Sequence, residues 1–292
     1  MKIVKIIGGL GNQMFQYALV LALKERFPDE VVKVDTTLFC NYRRHNGLEL
    51  ERIFGIALDT ASAAEINQVS RCFTNYFLQR LWRKIFGCGR HEIVQRHDGE
   101  FLPDVFQAGK DLYYEGYWQN QDYFSEIADR VRSVYRFPDF TDDRNREAYR
   151  DITEAGNSVC IHVRRGDYLA SPMYRGICDE HYYAEAVKMI CRRYEAPRFY
   201  IFSDDQDWCR SFFPTLCSPN GDITFVDWNS GQNSFRDMQL MSAAACMVIA
   251  NSSFSWWAAW LNARPGKVVI APRRWLNNAP ENDRQLPSWE LV

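Results

Sequence analysis

The second half of the chain alternates short apolar segments with longer amphipathic ones, and this alternation constrains the fold more than any other feature. The apolar segments predict strands at 158–163, 198–202, 223–227, 246–250 and 267–271, and the segments between them predict helices near 180–194, 205–213, 234–245 and 254–262. Strands that alternate with helices in this way form parallel sheets with helices on both faces. Five such strands are enough for one Rossmann-like domain.

The first half begins with the same pattern and becomes irregular between residues 40 and 110. It predicts strands at 2–7, 31–35 and 112–118, and helices at 12–27, 62–87, 122–134 and 142–155. A chain of 292 residues is long enough for two domains. We therefore predict an α/β protein with two Rossmann-like domains that face a central cleft, at residues 1–150 and 151–292.

Charge and cysteine content narrow the class of protein. The chain carries 35 Lys and Arg residues against 37 Asp and Glu residues, so no basic surface predicts binding to nucleic acid or anionic lipid. Its nine cysteines are odd in number and include no C-x-x-C pair, which favours reduced thiols in a cytosolic protein over disulfides or a zinc site. The apolar run at the N-terminus is too short for a signal peptide.

One long segment without charge imitates a membrane span. No charged residue lies between Asp237 and Arg264. Asn251, Ser252 and Ser253 fall in its middle, where lipid would leave their polar groups without hydrogen-bond partners. We therefore interpret the segment as a helix that runs to about residue 245, a buried strand, a polar turn and a second helix.

A glycine-rich loop follows the first strand. Gly9 and Gly11 match the first two glycines of the G-x-G-x-x-G dinucleotide motif, and Asp35 ends the next strand, where a ribose-binding acid would stand. Met14 replaces the third glycine, which weakens the case for NAD. Two interpretations are left: a strand–helix turn that binds no cofactor, or an anion or sugar site at the helix N-terminus in which Asn12 donates hydrogen bonds.

The segment 162–167 (HVRRGD) carries a stronger signal at the end of a predicted strand. Alternation along the strand puts His162 and Arg164 on one face, with Arg164 at the carboxyl end, where open α/β sheets bind ligands. Arg164 beside Arg165 suits a diphosphate, because guanidinium groups bind phosphate oxygens in pairs. His162 is placed to bind a base or a ribose. The structural alternative is an internal ion pair between either arginine and Asp167.

Two further polar segments follow predicted strands. Ser252 and Ser253 stand at the start of a predicted helix, where hydroxyls and backbone N–H groups form either a phosphate or sugar site or simply a helix cap. Asp205-x-Asp207 matches a pattern with which some nucleotide-sugar enzymes hold Mn²⁺. Acidic residues in the first turn of a helix explain the same pattern, and we predict no metal.

Taken together, these segments resemble the α-1,2-fucosyltransferases, the family that includes the blood-group H transferases. The matching stretches are 8–18 (GGLGNQMFQYA), 162–168 (HVRRGDY), 202–208 (FSDDQDW), 237–242 (DMQLMS) and 250–258 (ANSSFSWWA). They run in the family's order and span nearly the whole chain.

The resemblance implies an inverting GT-B glycosyltransferase with neither metal nor cofactor. It would transfer fucose from GDP-β-L-fucose to the 2-hydroxyl of a terminal galactose, with the donor on the side of residues 151–292 and the acceptor on the side of 1–150. The implied donor-binding residues are Arg164 for the β-phosphate, His162 for guanine or ribose, Asp237 for the guanine N–H groups, Ser252 or Ser253 for phosphate, and Asn12 for fucose and phosphate.

The catalytic residues implied are Arg164 and Asp167. Arginine and helix-end N–H groups would stabilise the leaving diphosphate, since no metal does so. Asp167 is the nearest carboxylate in the motif that could serve as the base. The alternatives are that Asp167 is the structural partner of Arg165, and that water or phosphate takes the proton.

The acceptor and the location are expectations of the same kind. Residues 40–110 match nothing in the family and are expected to select the acceptor, an oligosaccharide that is free or lipid-linked. The chain lacks the anchor with which animal members begin, so we expect the bacterial type in the cytoplasm, with transient association at the inner face of the membrane. The alternatives are another nucleotide-sugar transferase, another nucleotide-binding α/β enzyme, or a sugar-binding protein that would not need Arg164.

Overall fold

The computed structural model describes residues 1–41, 45–70, 85, 87–217, 221–281 and 283–292. The chain divides into two compact units, Met1–Pro138 and Asp139–Val292, each with its own sheet. The sequence places the division between residues 150 and 151, whereas the helix Asp143–Glu154 belongs to the second unit of the structure.

The first unit is built on a four-stranded parallel sheet in the order β2-β1-β4-β3. Its strands are β1 (Lys2–Lys5), β2 (Val32–Asp35), β3 (Glu92–Val94) and β4 (Leu112–Glu115). Its described helices are α1 (Leu10–Arg26), α2 (Leu50–Phe54), α3 (Ala63–Val69) and α4 (Ala128–Val134).

The first strand is buried along its whole length, although it begins and ends with lysine. Each buried ammonium group has a carboxylate partner: Lys2 lies 2.8 Å from Glu30, and Lys5 lies 3.0 Å from Glu115 on the neighbouring strand. A buried charge without a partner would cost several kcal/mol, so these pairs are what allows lysine at the centre of the sheet.

The second unit is built on a six-stranded parallel sheet in the order β10-β9-β8-β5-β6-β7. Its strands are β5 (Ser158–Val163), β6 (Arg198–Ser203), β7 (Asp222–Val226), β8 (Cys246–Val248), β9 (Val268–Ala271) and β10 (Glu290–Leu291). Its described helices are α5 (Asp143–Glu154), α6 (Gly166–Leu169), α7 (Glu180–Arg193), α8 (Gln206–Cys217), α9 (Phe235–Met241) and α10 (Ser253–Leu261).

Strand β5 shows the predicted alternation of faces. Val159, Ile161 and Val163 join one apolar core with residues of α7 and α8. Cys160 and His162 are buried too but lie outside that core, on the opposite face of the strand. His162 therefore reaches the carboxyl end of the sheet without entering the apolar layer.

The charge-free segment forms a helix, a strand, a turn and a second helix, as predicted. Helix α9 ends at Met241, strand β8 covers Cys246–Val248, and α10 covers Ser253–Leu261. Within the described ranges, no helix is long and apolar enough to cross a membrane.

The predicted helix at 62–87 is only partly testable. Helix α3 occupies Ala63–Val69, and the rest of that prediction, at 71–84 and 86, lies outside the described residues. The predicted helix at 122–134 is in fact two 3-10 turns followed by α4.

Candidate functional site

Four loops meet along the carboxyl edge of the second sheet. Strands β8, β5, β6 and β7 lie side by side, so the segments that follow them share one edge. The chain runs from β5 to β6 and β7, then returns to pair β8 on the other side of β5. The order of strands therefore reverses between β5 and β8, and open α/β sheets bind ligands at such a point. The predicted residues Arg164 and Ser252 follow these two strands.

Arg164 is held between two carboxylates. Its Nη2 donates to Asp167 Oδ1 at 2.7 Å, and its Nη1 lies 3.1 Å from Asp204 Oδ2. Asp204 also comes within 2.8 Å of a Cβ added at Gly166, so the loop needs glycine there for this close approach. The ion pair of Arg164 with Asp167 that the sequence offered as a structural alternative is present. An incoming diphosphate must compete with these carboxylates, and Asp167, whose side chain is 62% exposed, is the freer of the two to move.

Arg165 has a different and structural partner. Its Nε donates to Asp205 Oδ2 at 3.0 Å, its guanidinium stacks over Trp208 at 4.0 Å, and its backbone N–H donates to Asp204 Oδ1. The suggestion that Asp167 partners Arg165 is therefore wrong. Arg165 instead fastens the β5 loop to the start of α8.

Those contacts account for the first carboxylate of the Asp-x-Asp pattern, and the second, Asp207, lies in the first turn of α8. Asp205 accepts from Arg165 and caps α8 by accepting from the backbone N–H of Trp208 at 3.2 Å. Across the described part of the chain, no group of three or more His, Cys, Asp or Glu side chains is arranged to hold a metal ion.

His162 is a buried imidazole with an unused nitrogen. It is 8% exposed, and its Nδ1 has no hydrogen-bond partner among the described residues. Burial, and then the nearby charge of Arg164, lower the pKa of His162 to about 3, so the ring is neutral at physiological pH. A neutral imidazole beside Phe254, with one nitrogen unpaired, is suited to a single hydrogen bond with a ligand.

The loops after β5 and β8 are joined directly. The hydroxyl of Tyr168 donates to the carbonyl of Asn251 at 3.3 Å, and the buried amide of Asn251 donates to the carbonyl of Trp275 at 3.0 Å. Tyr168 also stacks on Tyr174, with ring centroids 4.3 Å apart. The sequence motif included Tyr168, but its spacing gave no indication of this link.

The two serines differ in what they do. Ser252 is the N-cap of α10, and its Oγ accepts from the backbone N–H of Phe254 at 3.3 Å. Ser253 is half-buried, and its hydroxyl makes no hydrogen bond to the described residues. Ser252 therefore has the structural role that the sequence offered, while Ser253 and the first turn of α10 are left to bind an anion.

Asp237 lies in α9 with a hydrogen bond from Asn229, whose Nδ2 donates to Asp237 Oδ1 at 2.8 Å. Burial raises the pKa of Asp237 to about 8, and the hydrogen bond from Asn229 opposes that rise. The charge of Asp237 also raises the pKa of the Cys160 thiol, and Cys160 shares a strand face with His162. Asp237 therefore lies near that face. The structure thus groups His162, Arg164, Asp167, Asp237, Ser252 and Ser253 in one unit.

Asn12 belongs to the first unit, at the start of α1. Its Oδ1 accepts from Gln119 Nε2 at 2.8 Å, and its Nδ2 packs over Gly8. Asp35, which the dinucleotide interpretation required for a ribose, is buried and already accepts from Thr37 and from the hydroxyl of Tyr113 at 2.5 Å. These bonds argue against NAD.

Two glutamines in the same motif hold the glycine loop in place. Gln13 donates to the carbonyls of Gly8 and Gly47 and accepts from the backbone N–H of Glu49. Gln16 accepts from the backbone N–H of Ile7 and donates to the carbonyl of Gly116. No local pattern in the sequence marks either glutamine, because their partners lie up to 100 residues away.

The whole length of the chain, residues 1–292, matches the family described as Glycosyl transferase family 11. The chain belongs to this family. The transferase is 30% identical to an alpha-1,2-colitosyltransferase of Escherichia coli, over 96% of this chain and 94% of that one. It is 28% identical to the O-antigen biosynthesis glycosyltransferase WbnK of the same organism, over 97% of each chain. It is 24% identical to the galactoside alpha-(1,2)-fucosyltransferase 2 of Gorilla gorilla gorilla, over 95% of this chain and 73% of that one.

Solved structures support the fold. The transferase resembles the fucosyltransferase NodZ from Bradyrhizobium with a TM-score of 0.51 and 16% identity, over 88% of this chain and 90% of that one. A second structure of the same enzyme gives a TM-score of 0.50. The predicted α/β class, of the GT-B type with two parallel sheets, is confirmed, and the cleft between the two domains stays a prediction.

Proposed function

We propose that the transferase moves L-fucose from GDP-β-L-fucose to the 2-hydroxyl of a terminal galactose, with inversion at the sugar. Membership of family 11 supports transfer to an oligosaccharide, and relatives named for alpha-1,2 transfer support the linkage. The observation that carries the proposal is the position of Arg164. It lies at the point where the strand order of the second sheet reverses, and α10 begins in the segment that follows the adjacent strand, β8.

Arg164 stabilises the departing diphosphate in this proposal. Cleavage of the bond between fucose and phosphate leaves negative charge on GDP, and a guanidinium group with the N–H groups of a helix N-terminus offsets that charge. The first turn of α10 and the hydroxyl of Ser253 supply the second set of donors. Arg165 is not assigned to the donor, because Asp205 and Trp208 already hold it.

The guanosine part of the donor is assigned to His162 and Asp237. His162 Nδ1 is buried and has no partner among the described residues, and in this proposal it makes one hydrogen bond to the base or the ribose. Asp237 offers a carboxylate to the N–H groups of guanine, and this requires the deprotonated form. The role of Asn12 toward the sugar and phosphate stays a prediction.

Asp167 is the candidate base for the acceptor hydroxyl. It is the exposed carboxylate next to Arg164, and release from that arginine when the diphosphate binds would free it to accept a proton. The transfer itself calls for neither a metal nor a cofactor in this proposal, since GDP-fucose is a substrate.

The test is a transfer assay with GDP-fucose and lactose in EDTA, with Arg164→Ala, Arg164→Lys and Arg192→Ala. Arg192 is exposed at the end of α7, on the opposite edge of the sheet, and serves as the matched control. We expect a 2-linked fucose product from the wild type and the control, and a loss of roughly 3 kcal/mol or more of transition-state stabilisation in Arg164→Ala. Arg164→Lys should recover only part of it, because lysine lacks the paired donors.

Turnover like that of the wild type in Arg164→Ala would refute the phosphate assignment. Product that appears only with Mn²⁺ would revive the metal interpretation of Asp205 and Asp207.

A second donor is favoured by the similarity to a colitosyltransferase. Colitose is fucose without the 3-hydroxyl, so the same GDP-binding residues would serve both donors. Transfer rates measured with GDP-fucose and with GDP-colitose at equal concentration show which donor the transferase uses. A site that hydrogen-bonds the 3-hydroxyl should transfer fucose much faster than colitose.

A further inference from the structure

A closed set of hydrogen bonds lies behind Asp237. Asn145 and Asn229 bond to each other twice: Asn145 Nδ2 donates to Asn229 Oδ1 at 2.8 Å, and Asn229 Nδ2 donates to Asn145 Oδ1 at 2.9 Å. Asn229 uses its second N–H to reach Asp237 Oδ1. Asn145 is 3% exposed, and Trp228 and Asp142 complete its hydrogen bonds at 2.9 and 3.0 Å.

This network fixes one oxygen of Asp237 and leaves the other open. No partner for Asp237 Oδ2 is found in the described parts of the chain. The asparagines come from α5 and from the loop after β7, so two separate elements set the position of one carboxylate on α9. The side-chain oxygen and nitrogen of both asparagines have partners, so the paired amides are held rigidly, and rigidity is what a site for a single base requires.

We propose that Asn145 and Asn229 are positioning residues that hold the Asp237 carboxylate for the base of the donor nucleotide and thereby set its preference for guanine. The inference rests on the proposed function, in which Asp237 binds guanine. Guanine presents an N1–H and an N2–H side by side, hypoxanthine presents only the N1–H, and adenine presents an acceptor at N1. A fixed carboxylate therefore favours GDP over IDP and IDP over ADP.

The charged and titratable groups around the network are few. They are Asp142 and Arg144 at the start of α5, Asp227 in the loop after β7, which pairs with Arg144 at 3.5 Å, Arg236 on α9 and Cys160 of β5. Within the described residues, Asp237 forms no ion pair with any of them. The hydrogen bond from Asn229 is therefore the main influence that favours the charged carboxylate, and its loss should shift the pH dependence of GDP binding upward.

The experiment measures dissociation constants for GDP, IDP, ADP and inorganic pyrophosphate by calorimetry between pH 6 and 9. The variants are Asn229→Ala and Asn145→Ser, with Asn157→Ala as the matched control. Asn157 is a half-buried asparagine at the amino end of β5, on the opposite edge of the sheet. Asn229 is only half-buried, so Asn229→Ala should fold even if Asn145→Ser does not.

We expect Asn229→Ala to weaken GDP binding about tenfold, to narrow the ratio of GDP to ADP affinity, and to move the midpoint of the pH profile to higher pH. Affinity for pyrophosphate should stay unchanged, because pyrophosphate has no base. An unchanged GDP profile, or an equal loss for GDP and pyrophosphate, would overturn the inference alone. Failure of the wild-type protein to bind GDP would overturn the proposed function together with it.

Discussion

Asp237 shows how a single half-buried carboxyl can couple the stability of this transferase to pH. Burial raises its pKa to about 8, well above the ordinary value of 3.8, so between these limits the folded protein holds a proton that the unfolded chain releases. When the folded state binds more protons than the unfolded state, the free energy of unfolding falls as the pH rises. The carboxyl therefore opposes folding most strongly above pH 8.

Asp237→Asn should remove this cost while keeping an oxygen that accepts from Asn229. We expect the variant to gain stability relative to the wild type as the pH rises from 5 to 9, by about 1 kcal/mol or more. Urea unfolding across this pH range measures the difference. Asp222→Asn, at an exposed carboxyl on β7, is the control and should show little trend. A difference that is constant with pH would contradict the raised pKa.

Asp167 has two roles to distinguish, as base and as the partner of Arg164. If it is the base, Asp167→Asn lowers kcat strongly while GDP binding stays the same or tightens, because Arg164 loses a competing carboxylate. We expect this result, measured by steady-state transfer and by GDP calorimetry. Asp204→Asn removes the other carboxylate of Arg164 and should leave kcat much less affected. Equal kcat in the wild type and Asp167→Asn would remove Asp167 from the catalytic residues.

The sequence located the charged residues of the site better than the amides that hold them. Arg164 and Asp167 stand three positions apart, and their contact followed from local spacing. The bond between Asn145 and Asn229 spans 84 positions, and no local pattern marks either residue. Long-range side-chain pairs depend on how separate elements pack, and a single sequence, read by itself, does not reveal that packing.

At the scale of elements, the turn from β1 into α1 depends on Gly8. Its φ of +83° is one that residues with a side chain rarely adopt, and an added Cβ would lie 2.7 Å from Asn12 Nδ2. We expect Gly8→Ala to destabilise the protein by roughly 1–3 kcal/mol and to lower kcat by displacing Asn12. Thermal unfolding and transfer assays test both effects.

The matched control for this loop is Gly156→Ala. Gly156 precedes β5, and an added Cβ there meets no atom within 4 Å. Its replacement should leave the melting temperature nearly unchanged. Similar melting temperatures for the two variants would show that Gly8 carries no special requirement.

Elements with strong local patterns were predicted best. Strand β5 has the bounds that the apolar run gave, Ser158–Val163, and helix α7 ends within one residue of its prediction. The sequence missed β3, with three residues, and β10, with two, because such short strands exist only through pairing with a neighbour. It also extended β8 to residue 250, although the ladder to β5 stops at Val248.

For the molecule as a whole, the state of the thiols is the property most open to test. The described cysteines are all free, with Cys160, Cys209, Cys217 and Cys246 buried. Cys40, Cys88 and Cys191 are exposed. We expect a thiol reagent to label these three in the native protein and the four buried ones only after unfolding, as mass spectrometry of the peptides would show. Native labelling of Cys160 or Cys246 would contradict the packing of β5 against β8.

The strand order of the second sheet also decides when the protein becomes competent during its synthesis. Strand β5 lies just past the middle of the chain, and its neighbour β8 is made much later, since Val159 pairs with Cys246, which is 87 residues downstream. Until the ribosome has made that stretch, β5 has no partner strand on the side of β8. Helix α10, which follows β8, does not yet exist either. The nascent chain therefore carries β5 with one edge unpaired until β8 has been made, and donor nucleotide can stabilise the site only after that.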